Sequence, residues 1–166
     1  MKYVCHYSSP VGILRLESDG NALTGLWFTD QSSTQEDKLP IFDETIRWLD
    51  IYFSGKDPGY TPKLAPEGTA FRKAVWDILL TIPNGKTMSY GQIAKQIAEE
   101  KGIARMSSQA VGGAVGHNPI AIIIPCHRVI GSDGSLTGYG GGLDRKIRLL
   151  ELEGAIQTQR PPKQFQ

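Results

Sequence analysis

The chain has two cysteines and three histidines, and one residue of each kind stands side by side as Cys126 and His127. A free thiol ionises near pH ~8.5, and lower beside positive charge or a helix N-terminus. An adjacent imidazole is a natural general base for such a nucleophile. The pair follows an apolar run, Ala121 to Ile124, which reads as a buried strand. On an extended strand, residues 126 and 127 point to opposite faces. The ring then reaches the sulfur only through a water, with another group orienting it. A lone cysteine after such a run is equally readable as an inert core residue, and the residues alone leave both readings open. Cys5 reads as a small buried strand residue.

Other chemistry is poorly supplied. Neither paired-Cys nor paired-His spacing is present, so no metal is expected. No charged-then-apolar leader opens the sequence, and no stretch approaches the ~20 apolar residues of a membrane helix. A cytoplasmic protein with reduced thiols and no membrane contact is the expectation. The net charge of +1 is uneven: residues 1–66 sum to −3 and residues 67–166 to +4. A polyanion would prefer the second part, although a solvated basic face is the blander reading.

The elements that must carry this chemistry fall into two textures. Short apolar runs at Tyr3–Tyr7, Ile13–Leu16 and Leu23–Phe28, separated by Ser9-Pro10 and Ser18-Asp19-Gly20-Asn21, predict an antiparallel meander. Residues 40–53 predict an amphipathic helix with Ile46, Leu49 and Phe53 along one side. Gly55 to Gly68 holds three prolines and three glycines and reads as a linker. Beyond it, Phe71, Ala74, Val75, Ile78, Leu79 and Ile82 repeat at helical spacing until Pro83-Asn84-Gly85. Ser89 and Gln92 form a capping box for a second helix ending at Gly102. A third helix starts near Ser107 or Ser108 and ends before Pro119. Its face reads Ala110, Gly112, Gly113, Ala114. Glycine costs a helix about 0.5–1 kcal/mol relative to alanine, so two in a row need a reason. Helix packing is one reason; close approach by another backbone is the other. A helix so short of long polar side chains reads base edges poorly, so any DNA contact would be close and nearly independent of sequence.

The segment "GHNPIAIIIPCHRVIGSDGSLTGYGGGLDRKIRLLELEG", with "TAFRKAVW", "GKTMSYGQIA" and "AVGGAVGHNP" before it, resembles the O6-alkylguanine-DNA alkyltransferases. The resemblance runs from about Gly68 to Gly154. It implies an α+β fold: a small ribonuclease H-like antiparallel-sheet domain (1–62), then a helical domain of winged-helix or helix-turn-helix character (63–166). It implies a monomer without cofactor that repairs double-stranded DNA containing alkylated guanine, with O4-alkylthymine as a second candidate lesion, by one irreversible transfer to Cys126. By the same resemblance His127 is the water-mediated base, Glu153 the carboxylate that orients it, and Asn118 the brace of the turn before the site. Tyr139 donates to the leaving guanine oxygen, and Tyr90 helps turn the 3′ phosphate. The backbone at Val129 accepts from the base amino group, and Gly140 offers a backbone donor. Ala110, Gly112, Gly113 and Ala114 belong to a small-residue face set in the minor groove. Arg128 is read as either structural or a phosphate contact, and is counted with the DNA-binding residues.

Two positions depart from the family pattern. Gln109 stands where most members carry arginine, which predicts weaker or more salt-sensitive DNA binding without loss of transfer. Gly140 replaces a serine, keeping the backbone donor and losing the hydroxyl. Two rival functions remain in view: a lesion-binding module that transfers nothing, and a thiol hydrolase that turns over repeatedly.

Overall fold

The computed structural model describes residues 2–31, 34–136 and 138–157. The last nine positions of the expected second domain, 158–166, lie outside the described residues. Strands β1 (Tyr3–Ser9), β2 (Gly12–Ser18) and β3 (Leu23–Phe28) form an antiparallel sheet in that order. Alternation sends Leu14, Leu16 and Leu26 into the core at 0% exposure. On the opposite face Arg15 pairs with Trp27, its guanidinium 5.9 Å from the ring centroid. Turn chemistry closes the second hairpin: the Asp19 carboxylate accepts from the backbone N–H of Asn21 and Ala22.

Helix α1 (Pro40–Phe53) begins with its proline, where a missing N–H costs nothing. Its buried stripe is Ile41, Phe42, Thr45, Trp48, Leu49 and Tyr52. The expected stripe was rotated: Leu49 is central, while Ile46 and Phe53 only flank the core. Aromatic residues decide the orientation, because Trp48 donates to the Tyr60 carbonyl at 2.7 Å and stacks on Tyr52.

The stretch after α1 is no free tether. Leu23 N–H donates to Lys63 O and Ala65 N–H to Leu23 O, so this segment runs along β3. Leu26 then bridges to Ile120, and one hydrophobic cluster joins the sheet to the helices.

Those helices are α2 (Ala70–Leu79), α3 (Tyr90–Lys101), α4 (Ser108–Gly116) and α5 (Leu143–Leu152). Their starts follow the capping chemistry. Thr69, Ser89 and Ser107 each accept a backbone N–H three residues on, and α3 carries the reciprocal Ser89–Gln92 box. Gly102 ends α3 at φ 67°. Trp76 of α2 donates to the Ala114 carbonyl at 2.8 Å, fixing α4 against the core. Two-residue strands β4 (Met88–Ser89) and β5 (Val129–Ile130) pair in parallel. Among the described residues no helix is long and apolar enough to cross a membrane.

The expected strand at Ala121–Ile124 is a compact turn. Pro119 and Pro125 withhold backbone donors from any sheet. Asn118 closes the loop instead, accepting from Ile120 N–H at 3.0 Å and donating to Ile124 O at 2.8 Å. Ile122 sits at φ 70°, an uncommon conformation for a β-branched residue. Its neighbours over-determine it: Ile122 and Ile124 are at 0% exposure. An apolar run reports burial here, not extension.

Candidate active site

Cys126–Arg128 form one turn of 3-10 helix, so neighbouring side chains diverge. Cys126 lines a cleft of about 700 Å³ together with Asn118, Tyr139, Gly140, Tyr90 and Arg145. His127 lies behind that wall at 0% exposure.

The imidazole is held from one side. Its Nε2 is 2.6 Å from Glu153 Oε2, which makes Nε2 the donor and leaves Nδ1 basic. Nδ1 is buried and has no hydrogen-bond partner. Glu153, which ends α5, also accepts from Arg128 Nε at 2.8 Å, Arg128 Nη2 at 3.0 Å, Gly85 N–H at 3.3 Å and Tyr52 Oη at 2.5 Å. Burial alone would raise this carboxyl, but hydrogen bonds and charge from His127 and Arg128 hold it at about 2. Burial lowers the basicity of His127, partly countered by Glu153 and reinforced by Arg128 and Lys146. The resting ring is therefore neutral, and Arg128 is the lasting counter-ion of Glu153.

Arg128 requires a correction. Its Nη1 donates to Ile82 O at 2.6 Å and the rest of the guanidinium grips Glu153. At 7% exposure it is committed to the interior, not to a phosphate.

The thiol is raised by burial and lowered by the Asn118 side chain, the Lys146 charge and the backbone N–H groups at its own turn, with burial prevailing. Lys146 is wholly buried, donates to Val129 O at 2.6 Å and to Gly138 O at 3.3 Å, and is lowered to about 8, chiefly by desolvation. Val129 thus shares its carbonyl with an ammonium group.

Tyr139 presents a buried hydroxyl with no partner, while its ring meets the His127 ring edge-on at 6.5 Å. Burial and then the nearby Cys126 keep this phenol well above its usual value, so it is a donor. The following loop is pinned from the sheet region. Arg145 donates to Val11 O at 2.8 Å and to Gly141 O at 3.1 Å, its guanidinium 4.5 Å over Phe28. A Cβ on Gly141 would lie 2.7 Å from the Tyr139 ring and 2.9 Å from the Phe28 ring, so a larger residue there must displace an aromatic ring of the site. Gly140 by contrast faces open space.

On the opposite wall Tyr90 opens α3 and faces Gly112 of α4. Gln109, Ala110 and Gly113 are exposed along α4, and a Cβ on Gly113 would meet nothing. Internal packing therefore does not demand glycine at that position. Ala114 faces inward at 3% exposure, so it leaves the expected outer face.

Cys126, His127, Glu153, Asn118 and Tyr139 are thus brought together, Tyr90 and Gly112 stand across the cleft, and Gln109, Ala110 and Gly113 lie on the helix beside it. The sequence reading missed Tyr52, Lys146, Arg145 and Phe28. Tyr52 is a polar aromatic in the buried stripe of α1, a signal of a required partner, but nothing local identifies that partner as Glu153. Among the described residues no group of three or more His, Cys, Asp or Glu could hold a metal ion.

Comparison with known proteins gives a consistent set of similarities. The family model described as "6-O-methylguanine DNA methyltransferase, DNA binding domain" matches residues 70–155. The methylated-DNA–protein-cysteine methyltransferase of Mycobacterium leprae is 48% identical over 150 residues, covering 87% of this chain and 88% of its own length. The protein of that name from Methanosarcina acetivorans is 45% identical over 159 residues, covering 92% and 99%. The crystal structure of Mycobacterium tuberculosis OGT in complex with DNA superposes with a TM-score of 0.80 at 45% identity, covering 92% of this chain and 93% of that one.

Proposed function

The chain belongs to the methylated-DNA–protein-cysteine methyltransferase family, and on that premise we propose that Cys126 takes the alkyl group from O6-alkylguanine in DNA in a single direct-reversal step. The observation that carries the residue assignment is the sulfur on the cleft wall with a neutral, carboxylate-held imidazole directly behind it.

The alkylated oxygen is hidden in stacked DNA, so the nucleotide must leave the helix and enter the cleft. Cys126 is mainly a thiol at rest, because burial outweighs the groups that favour its anion. His127 Nδ1 takes the thiol proton through a water, and Glu153 stabilises the imidazolium that forms. The thiolate attacks the alkyl carbon; the S–C bond forms as the bond from that carbon to O6 breaks. Tyr139 donates to the oxygen as charge develops there. The proton lost by the thiol is balanced by the one guanine regains. The thioether product has no leaving path, so each molecule acts once. The chemistry needs no metal or organic cofactor.

We read α3 and α4 as a helix-turn-helix in which α4 enters the minor groove. Gln109 then sits where the displaced nucleotide leaves a gap, and Ala110, Gly112 and Gly113 allow the DNA backbone close. We also read residues 1–62 as a ribonuclease H-like unit and 63–166 as the acceptor domain with winged-helix character. The β3 edge shared by Leu64 and Ile120 supports a fixed pairing of the two.

The test is incubation with a duplex oligonucleotide carrying one O6-methylguanine, followed by peptide mass analysis. One methyl on the Cys126 peptide, one equivalent per protein and none in Cys126→Ser, is expected. Binding without mass change would indicate the non-transferring lesion module, and repeated turnover on esters would indicate a hydrolase. Either result rejects the reading.

A further inference from the structure

Glu153 holds the imidazole through an oxygen that a distant part of the chain also claims. Tyr52 lies near the end of α1, 101 residues before Glu153 in sequence, and its hydroxyl reaches Oε2 at 2.5 Å. The same hydroxyl lies 3.4 Å from His127 Nε2. Oε2 therefore receives Tyr52, His127 and Arg128 Nη2 together. The phenol ring is fixed: it stacks on Trp48 at 5.2 Å and meets Phe53 edge-on at 5.2 Å. At 1% exposure it has no water to fall back on.

We propose that Tyr52 is a positioning residue for alkyl transfer: by sharing Oε2 with the imidazole it weakens the hold of Glu153 on Nε2–H, keeping His127 neutral and Nδ1 able to take the thiol proton. This deepens the repair reading and rests on it. Each donor on a carboxylate spreads its charge, so a carboxylate serving fewer donors binds an imidazolium more tightly. A base already protonated accepts nothing.

The groups facing the ring come from every element packed around it. Glu153 and Lys146 come from α5, Arg128 and Cys126 from its own turn, Tyr139 from the glycine loop and Tyr52 from α1. Arg128 and Lys146 oppose protonation as cations, whereas Glu153 favours it. Tyr52 acts on that favouring partner. It loses no proton itself, because burial and Glu153 hold the phenol far above its usual range. In this way α1, which contributes no side chain to the cleft wall, enters the chemistry.

Tyr52→Phe keeps the ring and removes the donor. Two readings are taken: the His127 titration midpoint by NMR of 15N-histidine-labelled protein, and the single-turnover methyl-transfer rate against pH at saturating DNA. Both the midpoint and the acid limb should move to higher pH by about one unit, with DNA affinity unchanged. A ring-fluorinated tyrosine placed at position 52, a stronger donor of the same shape, should move both to lower pH. Unmoved profiles, or shifts of the same sign in the two variants, overturn the proposal. If Tyr52→Phe does not fold, the sign of the fluorotyrosine shift decides alone. Absence of transfer by the parent protein would reject the repair reading instead, and the NMR midpoint would still report on the Tyr52 coupling.

Discussion

Cys126 and Arg128 are two residues apart in a single turn, yet their side chains enter opposite kinds of surroundings. On the cleft side, Cys126 and Tyr139 meet a cavity, and the Tyr139 hydroxyl is buried without a partner. On the interior side, Arg128 and His127 meet Glu153, whose two oxygens accept from His127, Arg128, Tyr52 and Gly85. Buried polar groups are normally satisfied, and an exception calls for an explanation. The engaged carboxylate holds the residue that follows Cys126, whereas the unpartnered hydroxyl comes from Tyr139, thirteen positions further along. The Glu153 carboxylate fixes geometry because its partners are complete; the Tyr139 hydroxyl can serve a substrate, and His127 Nδ1 can take a proton, because theirs are not.

Breaking the complete side should do the most damage. Glu153→Gln leaves Arg128 buried without its counter-ion, a loss of about 3–5 kcal/mol in folding stability. It also removes the anion that stabilises the imidazolium, so the transfer rate should fall by about 10²–10⁴. Urea unfolding and single-turnover kinetics check the two effects. The carboxyl of Glu153 is depressed in the folded state to about 2. Its contribution is therefore fully present above the unfolded value near ~4.3 and is lost as pH falls through about 2. Acid titration of stability should show that loss in the parent, and a reduced one in Glu153→Gln.

The incomplete side is probed by Tyr139→Phe. It deletes a donor that nothing in the folded protein uses, so stability should hold or rise slightly, while transfer slows by about 10²-fold. Equal losses of stability and rate would mean that the hydroxyl is structural. The smallest effect belongs to the helix beside the cleft. Gln109 is exposed, and Gln109→Arg adds a cation with a stacking surface. Binding to lesion duplex should tighten about fivefold, near 1 kcal/mol, with the transfer rate at saturating DNA unchanged. Fluorescence anisotropy at two salt concentrations measures this.

Much of the fold was legible because local chemistry wrote it. The three strands, the Ser89–Gln92 box, the Gly102 stop and the Ser107 cap follow from turn and cap residues acting within a few positions, and α1 starts at its proline. The α1 stripe was rotated because hydrophobic spacing does not weigh an indole or a phenol that needs a polar partner. The run Ala121–Ile124 was read as a strand because β-branched residues signal burial as readily as extension. Two prolines and one asparagine side chain turned it back on itself. The sequence leaves Arg128 between a structural role and a phosphate contact, because a basic residue beside a cysteine says nothing of which way it points.

The linear order alone determined which groups the molecule owns: a thiol beside an imidazole, a carboxylate after the last helix, a tyrosine among glycines, and a helix trimmed of bulk. Those are properties of residue type and short spacing. Only the tertiary structure decided that Glu153 and Tyr52 share one oxygen at the back of His127, and that Arg145 and Phe28 anchor the loop of Tyr139. Such contacts join positions far apart in the chain, and their geometry follows from how the whole core packs, which no local pattern encodes.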